Sequence, residues 1–224
     1  MKKEVKILFV DDHPVILKGV ASMLEETINY AFNIITKSNC DDAFETIKIA
    51  NKTTPFDIVF SDLSFTETNC KIKSGEALIK ILNQELPLLK KGVITGHSET
   101  NRVFNVIENT KPSAYLLKDN LNTSELVFAI NQMLLGETYY THVVHQKILK
   151  RSIVQISMDD VALQILQELP NHPKLNNMVG CIKKDGKLLK KRSIESKLSK
   201  LRITLNAKNN TDLVLKAKEL GIID

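Results

Sequence analysis

Four short apolar runs, each closely followed by polar residues, constrain the fold of this chain more than any other feature. Segments long enough for a helix separate them, a pattern typical of parallel strands that are covered on both faces. The runs are residues 7–10, 58–60, 93–94 and 115–117, and the polar residues after them are Asp11, Asp12, Asp62, Thr95 and Lys118. Ligands bind beyond the carboxyl ends of the strands in an open α/β sheet, so we predict that these five residues share one pocket.

The surrounding sequence alternates between strand and helix patterns five times. We predict strands at 4–10, 31–37, 56–61, 91–95 and 113–117, and helices at 14–26, 40–51, 74–86, 99–109 and 122–135. Gly136 is placed to end the last of these helices. This alternation predicts a doubly wound α/β domain with a parallel sheet and helices on both faces.

The side chains of the pocket indicate its chemistry. Three carboxylates held together repel one another unless a cation neutralises them, and Mg²⁺ is a hard cation that binds carboxylate and phosphate oxygens. An aspartate can act as the nucleophile that forms an acyl phosphate. The point charge of Lys118 suits a phosphoryl group. The residues themselves therefore favour a magnesium-assisted phosphorylation site.

These segments resemble the receiver domain of two-component response regulators. The matching segments are 10–14, 57–63, 93–97 and 114–119. The resemblance implies a flavodoxin-like (βα)5 domain in which Asp62 accepts a phosphoryl group. It implies a Mg²⁺ site made by Asp12, Asp62 and the backbone carbonyl of Ser64, with Asp11 acting through water. It also implies that Lys118 pairs with the phosphoryl group and that Thr95 and Tyr115 form the coupled switch.

The loop after Asp62 departs from the receiver pattern. Receivers usually carry a proline four residues after the phosphoacceptor and a glycine eight residues after it. Here Thr66 takes the proline position, and the first glycine, Gly75, comes after an inserted polar stretch at 65–74. The sequence leaves open whether this insertion alters partner choice or the rate of dephosphorylation, or is neutral.

The hydrophobic period changes after Gly136. We assign residues 1–136 to the receiver, 137–156 to a linker without a recognisable strand, and 157–224 to a small all-α domain. The expected helices there are at 157–169, 174–184, 193–204 and 210–220. We expect Ser157 to cap the first of them, and Thr211 or its neighbour to cap the last, which Gly221 ends.

Positive charge is concentrated in this second part. Residues 183–202 hold nine basic and two acidic side chains, whereas the whole chain has a net charge of only +5. The remainder of the chain is therefore slightly acidic. A local basic face on a helical module is the electrostatic pattern of a DNA binder, although many basic runs are only solvated surfaces.

The second part resembles the helix-turn-helix domain of NarL/FixJ (LuxR-type) regulators, on segments 192–205 and 211–223. The resemblance implies that 192–205 is the recognition helix in the DNA major groove. The side chains expected to contact DNA are Lys190, Lys191, Arg192, Ser196, Lys197, Ser199, Lys200 and Thr204. Glu195 stands where a basic residue is common, and it would either accept from cytosine or repel phosphate. Residues 175–187 depart from the family, which has a short helix there.

Together these features predict a regulator of transcription that a histidine kinase phosphorylates and that, once phosphorylated, binds double-stranded DNA as a homodimer. Its only expected chemistry is self-phosphorylation and slow self-dephosphorylation at Asp62. The alternative is a phosphorylation-controlled protein-interaction module whose tail binds no DNA. A conventional phosphatase is disfavoured, since the Asp-x-Asp arrangement is absent. Three widely spaced cysteines and no membrane-length apolar run predict a protein of the reducing cytoplasm with no membrane contact.

Overall fold

The structure is a computed structural model that describes residues 3–25, 27, 30–66, 69–156, 158–172 and 175–223. It divides into two compact units, Met1–Ser98 with Asn105–His142 and Glu99–Phe104 with Val143–Asp224, which we call the receiver unit and the helical unit. The domain limits given from the sequence stay a prediction. No helix among the described residues is both long enough and apolar enough to cross a membrane.

The secondary structure alternates from the first strand to the fifth helix, as predicted. Strands are β1 (Lys3–Val10), β2 (Tyr30–Lys37), β3 (Ile58–Ser61), β4 (Lys90–Thr95), β5 (Ala114–Leu117) and β6 (Tyr139–Tyr140). Helices are α1 (Pro14–Glu25), α2 (Cys40–Ala50), α3 (Gly75–Glu85), α4 (Thr100–Thr110) and α5 (Thr123–Leu135), with a short 3₁₀ turn at Lys118–Asn120. Gly136 ends α5 in the left-handed conformation with φ 85°, as expected.

The six strands form one parallel sheet in the order β2-β1-β3-β4-β5-β6. The chain reverses its direction of winding between β1 and β3, and this is the switch point where α/β sheets open a crevice for ligands. Asp11 and Asp12 follow β1 and Asp62 follows β3, so the acidic residues flank the switch point. The doubly wound receiver fold is confirmed.

Helices cover both faces of the sheet because successive strand residues point to opposite sides. On one face, Val5, Ile7 and Phe9 of β1 pack in a cluster that contains residues of α1 and α5. On the other face, Leu8 and Val10 pack in a cluster with residues of α2 and α3. All five side chains are buried, which explains the continuous apolar run in the sequence.

The helical unit has a separate core. Its elements are α6 (His142–Ile156), α7 (Asp160–Glu168), α8 (Leu175–Met178), the strands β7 (Lys183–Lys184) and β8 (Lys187–Leu188), α9 (Lys191–Thr204) and α10 (Asn210–Glu219). Three buried residues of α9, Ile194, Leu198 and Leu201, pack in one cluster with α7 and α10. A helical domain after the receiver is therefore confirmed.

Several details of this unit differ from the sequence prediction. The predicted linker at 137–156 contains β6 and α6, which went unrecognised because β6 has only two residues and many apolar side chains of α6 are exposed. The predicted helix at 174–184 is wrong: α8 is a single turn, and an antiparallel β7–β8 hairpin follows it. The turn of that hairpin is Asp185-Gly186, both with positive φ, which is the conformation of a type I′ turn.

The helix caps are also formed by residues other than those predicted. Ser157 lies outside the described residues, and the cap of α7 is Asp159, whose side chain accepts a hydrogen bond from the Ala162 amide. The cap of α10 is Asn209, which accepts from the Asp212 amide, and not Thr211. Aspartate and asparagine cap as well as serine or threonine, so residue type alone did not choose between neighbouring candidates.

Candidate functional sites

The five strand-end residues meet at one edge of the sheet, as predicted. Asp11 and Asp62 are 4% and 5% exposed, and Thr95 is fully buried. The Lys118 ammonium donates to both aspartates, at 2.7 Å from Asp11 Oδ2 and 2.7 Å from Asp62 Oδ2. We call this group, together with Asp12, the acidic pocket.

Electrostatics and hydrogen bonds hold the acidic pocket together. Burial would lower the pKa of Lys118, but hydrogen bonds and charge from Asp11 and Asp62 outweigh it, so the pKa is raised and the amine stays charged. Asp62 Oδ1 also accepts a hydrogen bond from the Leu63 amide at 2.6 Å. The ammonium therefore offsets part of the repulsion between two buried carboxylates, and the backbone fixes the orientation of the second.

The two carboxylate oxygens of Asp12 have different surroundings. Its Oδ2 accepts hydrogen bonds from the amide and the hydroxyl of Thr66, at 2.8 and 2.7 Å. Its Oδ1 is buried and accepts no hydrogen bond among the described residues, although His13 Nδ1 lies 3.0 Å away. One ligand atom from each of Asp11, Asp12, His13 and Asp62 lies within 4.8 Å of the others. The acidic pocket thus has the donor set and the spare oxygen that a hard divalent cation requires.

The pKa of Asp12 is lowered. Burial acts to raise it, but the two hydrogen bonds from Thr66 and the charge of His13 act together in the opposite direction. Thr66 stands where receivers usually have proline, and its contact with Asp12 was not predicted. Its hydroxyl and amide both act as donors, whereas proline has no N–H.

The inserted loop returns to the sheet beside the pocket. Ser64 forms an isolated antiparallel bridge with Ser74, and the Gly75 amide donates to the Leu63 carbonyl. A Cβ atom on Gly75 would lie 1.7 Å from the Asp62 carbonyl oxygen, so no other residue fits there without movement of the backbone. Gly75 thus sets the close approach of α3 to the phosphoacceptor candidate, although it comes later in the chain than the family pattern expects.

The two predicted switch residues are joined through one peptide segment. The His97 amide donates to the Thr95 hydroxyl at 3.3 Å, and the Tyr115 hydroxyl donates to the His97 carbonyl at 2.9 Å. Tyr115 is fully buried and so points inward. The His97 ring nitrogen Nε2 lies 2.8 Å from Ser64 Oγ, in the loop after Asp62. His97 was not predicted as a site residue, because its role depends on contacts between separate strands.

The predicted DNA-contacting residues lie on α9 or at its N-cap, Lys190. The side chains of this set that are exposed are Lys190, Lys191, Arg192, Ser196, Ser199, Lys200 and Thr204. Their common surface also carries Glu195 and Ile203, the latter 80% exposed. We call this surface the α9 face. Ile203 was missed by sequence reasoning, since it was counted with neither the apolar stripe nor the polar contacts.

Lys197 differs from the other predicted contacts. Its ammonium lies 2.6 Å from Asp159 Oδ2, at the start of α7, and its side chain is only 24% exposed. The hydrogen bond from Lys197 is the main reason that the pKa of Asp159 is lowered. Lys197 therefore contributes to packing between α9 and α7, and less of its charge is available to a ligand at the α9 face.

Comparisons with known proteins agree with this architecture. No family model matches the chain. A nitrate/nitrite response regulator homologue of Haemophilus influenzae is 26% identical over 152 residues, which cover 68% of this chain and 67% of that protein. The resemblance to the response regulators is confirmed.

Solved structures share the fold of all or part of this chain. RcsB, in a structure of two of its dimers bound to two parallel DNAs, is 18% identical, with a TM-score of 0.61 over 97% of this chain and 99% of that chain. A LuxR-family response regulator from Aurantimonas sp. SI85-9A1 is 24% identical, with a TM-score of 0.55 over 67% of this chain and 99% of that chain. The likeness to RcsB extends along both units, although the sequences have diverged widely.

Proposed function

We propose that this chain is a DNA-binding response regulator that accepts a phosphoryl group on Asp62 and controls transcription. The observation that carries the proposal is the Lys118 ammonium held between Asp62 and Asp11 at the switch point of the sheet. Structural ion pairs are usual on surfaces, but here both carboxylates are buried, and a third carboxylate, that of Asp12, has a buried oxygen that accepts no hydrogen bond among the described residues. A buried arrangement of this kind is costly unless it has a ligand to bind.

In the proposed reaction, a carboxylate oxygen of Asp62 attacks the phosphorus of a phosphohistidine on a sensor kinase, or of a small phosphodonor. A P–O bond to Asp62 forms as the bond to the leaving group breaks. Lys118 then pairs with the new phosphoryl oxygens, whose charge it helps to neutralise. Asp12, Asp62 and the Ser64 carbonyl would hold Mg²⁺, with Asp11 acting through water, and the ion would supply further charge neutralisation.

The structural change on phosphorylation would pass from the acidic pocket to Tyr115 through His97. The Thr95 hydroxyl would donate a hydrogen bond to the phosphoryl group, and the long 3.3 Å hydrogen bond that it accepts from the His97 amide costs little to break. Because the His97 carbonyl holds the Tyr115 hydroxyl, movement of this segment changes the setting of the tyrosine. This chain of contacts supports the proposed coupling of Thr95 to Tyr115.

The α9 face supports the second half of the proposal. Lys190, Lys191 and Arg192 crowd the N-terminal end of α9, where the helix dipole disfavours positive charge. Such an arrangement gains stability from a polyanion, because phosphate oxygens neutralise both the side chains and the dipole. Binding to double-stranded DNA as a homodimer, with one α9 face for each half-site, would use this charge.

The phosphorylation step is tested by intact mass after incubation with acetyl phosphate and Mg²⁺. We expect one phosphoryl group on the parent chain, none on Asp62→Asn, and an unchanged adduct on Asp119→Asn. Asp119 is a matched control, since it is an exposed aspartate next to Lys118. An adduct that persists on Asp62→Asn would refute the assignment.

The charges on the α9 face also agree with one alternative function, that of a protein-interaction module. Glu195 brings a negative charge to that face, and the pairing of Lys197 with Asp159 removes a positive one. Titration of the phosphorylated chain with a duplex at several salt concentrations separates the two functions. A DNA affinity that falls steeply with salt favours the regulator, and no affinity at low salt favours the interaction module.

A further inference from the structure

A second group of metal-ligating side chains lies in the helical unit, away from the acidic pocket. One ligand atom from each of Glu168, His172 and Cys181 lies within 4.8 Å of the other two. We propose that these three residues form a Zn²⁺ site that fixes the segment between α7 and the β7–β8 hairpin.

The first two ligands come from one face of α7 and its continuation. The His172 amide donates to the Glu168 carbonyl at 2.9 Å, so the chain makes a further helical turn after α7 ends. Residues four apart lie on the same side of such a turn. The two side chains accordingly face each other, with His172 Nε2 3.5 Å from Glu168 Oε2.

Contacts on the same face of α7 bring the third ligand to this pair. The Gln164 side chain, four residues before Glu168, accepts from the Lys183 amide at 2.9 Å and donates to the Lys183 carbonyl at 3.0 Å. Ile182 is fully buried in the core of the helical unit. Cys181 is therefore anchored by its neighbours, and it stays exposed while its thiol donates a long hydrogen bond of 3.8 Å to the Asn177 carbonyl.

The geometry and the donor set suit zinc. Zn²⁺ binds cysteine, histidine and carboxylate in a tetrahedron with bonds of about 2.0–2.3 Å, which places neighbouring ligand atoms roughly 3.4 Å apart. The separation of 3.5 Å between His172 Nε2 and Glu168 Oε2 agrees with this spacing. A thiolate ligand favours Zn²⁺ over Mg²⁺ or Ca²⁺, and water would complete the tetrahedron.

Few buried apolar residues hold the described part of this segment in place. Between the end of α7 and the start of α9, the buried apolar residues of the described chain are Leu169, Met178 and Ile182. The described part of the segment contains one turn of helix and a hairpin of two-residue strands. A metal ion stabilises such a segment because binding free energy adds to folding free energy. It would also fix the position of the basic hairpin against α7.

The test uses Co²⁺ as a spectroscopic probe on the metal-free full chain. A thiolate bound to Co²⁺ gives a charge-transfer band that the carboxylates of the acidic pocket cannot give. We expect this band to saturate at one equivalent on the parent and to disappear when Zn²⁺ displaces Co²⁺. We expect Cys181→Ser to abolish the band and His172→Gln to weaken binding by at least about tenfold.

Cys70→Ser is the matched control, because it removes another thiol that is not fully buried and should leave the band unchanged. Melting of the chain with and without Zn²⁺ gives a second measurement, in which the parent and Cys70→Ser shift upward and Cys181→Ser shifts less. Absence of the band on the parent would overturn the proposal. So would a band that survives in Cys181→Ser or is lost in Cys70→Ser.

Discussion

The acidic pocket and the α9 face are both built from charged residues, but they hold those residues in opposite ways. In the acidic pocket, Asp11 and Asp62 are buried and share one ammonium. On the α9 face, Arg192 and Lys200 are exposed. Buried charges need fixed partners, whereas exposed charges tolerate many arrangements. Substitutions should therefore affect folding and chemistry in the pocket, and affinity alone on the α9 face.

Gly75→Ala should have the largest effect, because the new Cβ would lie 1.7 Å from the Asp62 carbonyl oxygen. We expect a loss of about 3 kcal/mol or more in the free energy of unfolding, measured with urea, as backbone must move to relieve the overlap. Gly19→Ala in α1 is the control, since nothing lies within 4 Å of its Cβ position. It should gain roughly 0.5–1 kcal/mol. Equal effects of the two changes on the free energy of unfolding would contradict the close approach of Gly75 to the Asp62 carbonyl.

Arg192→Ala combined with Lys200→Ala should leave folding intact and weaken DNA binding. Loss of two phosphate contacts lowers the slope of log affinity against log salt by about 2 and the affinity by roughly 10–100-fold. Fluorescence anisotropy with a duplex at several salt concentrations measures both. Lys218→Ala on α10, an exposed cation outside the α9 face, should change neither. If the control weakens binding as much, the DNA surface lies elsewhere.

Lys197→Ala tests whether this side chain contacts DNA or mainly packs α9 against α7. Because this ammonium pairs with Asp159, its removal should reduce the salt slope by less than the removal of Lys200 alone. A full unit of slope lost in Lys197→Ala, in the same anisotropy titration, would return Lys197 to the DNA contacts predicted from the sequence.

Thr66→Val tests the part of the pocket that the insertion contributes. The change keeps the shape and the amide donor but removes the hydroxyl that donates to Asp12. We expect urea unfolding to show a loss of about 1 kcal/mol, the usual net value of one hydrogen bond. Thr54→Val, at an exposed threonine before β3, should be close to neutral. No difference between the two variants would show that the hydroxyl contact adds no stability.

Asp159→Asn should have the smallest effect. Asparagine still caps α7, so only the ion pair with Lys197 is lost, at a cost of about 0.2–1 kcal/mol for an exposed pair. The pKa of Asp159 is lowered in the folded state, so the pair stabilises the fold above the unfolded pKa of about 4 and this contribution is lost as pH falls below it. The free energies of unfolding of the parent and the variant should therefore converge at acidic pH. A stability difference that persists unchanged at low pH would exclude the ion pair as its cause.

The receiver elements were predictable because their signals are local. A buried parallel strand requires a continuous apolar run, and a polar residue at its carboxyl end cannot be explained by the core. Asp12, Asp62 and Lys118 could therefore be assigned to one pocket before any contact was known. In the helical unit the predicted helix at 174–184 failed, although Asp185-Gly186 carried a hairpin signal. Its two-residue strands are too short to show a period.

The sheet, the pocket at its edge and the basic character of 183–202 could be predicted from the amino-acid sequence, because each follows from periodicity, chain order or charge. Three contacts became evident only from the folded chain: Thr66 donates to Asp12 across 54 positions, Lys197 pairs with Asp159 across 38, and Cys181 lies near His172. These contacts join segments with no shared pattern. Their geometry depends on how each unit packs around its own core and is not encoded in any local stretch of sequence.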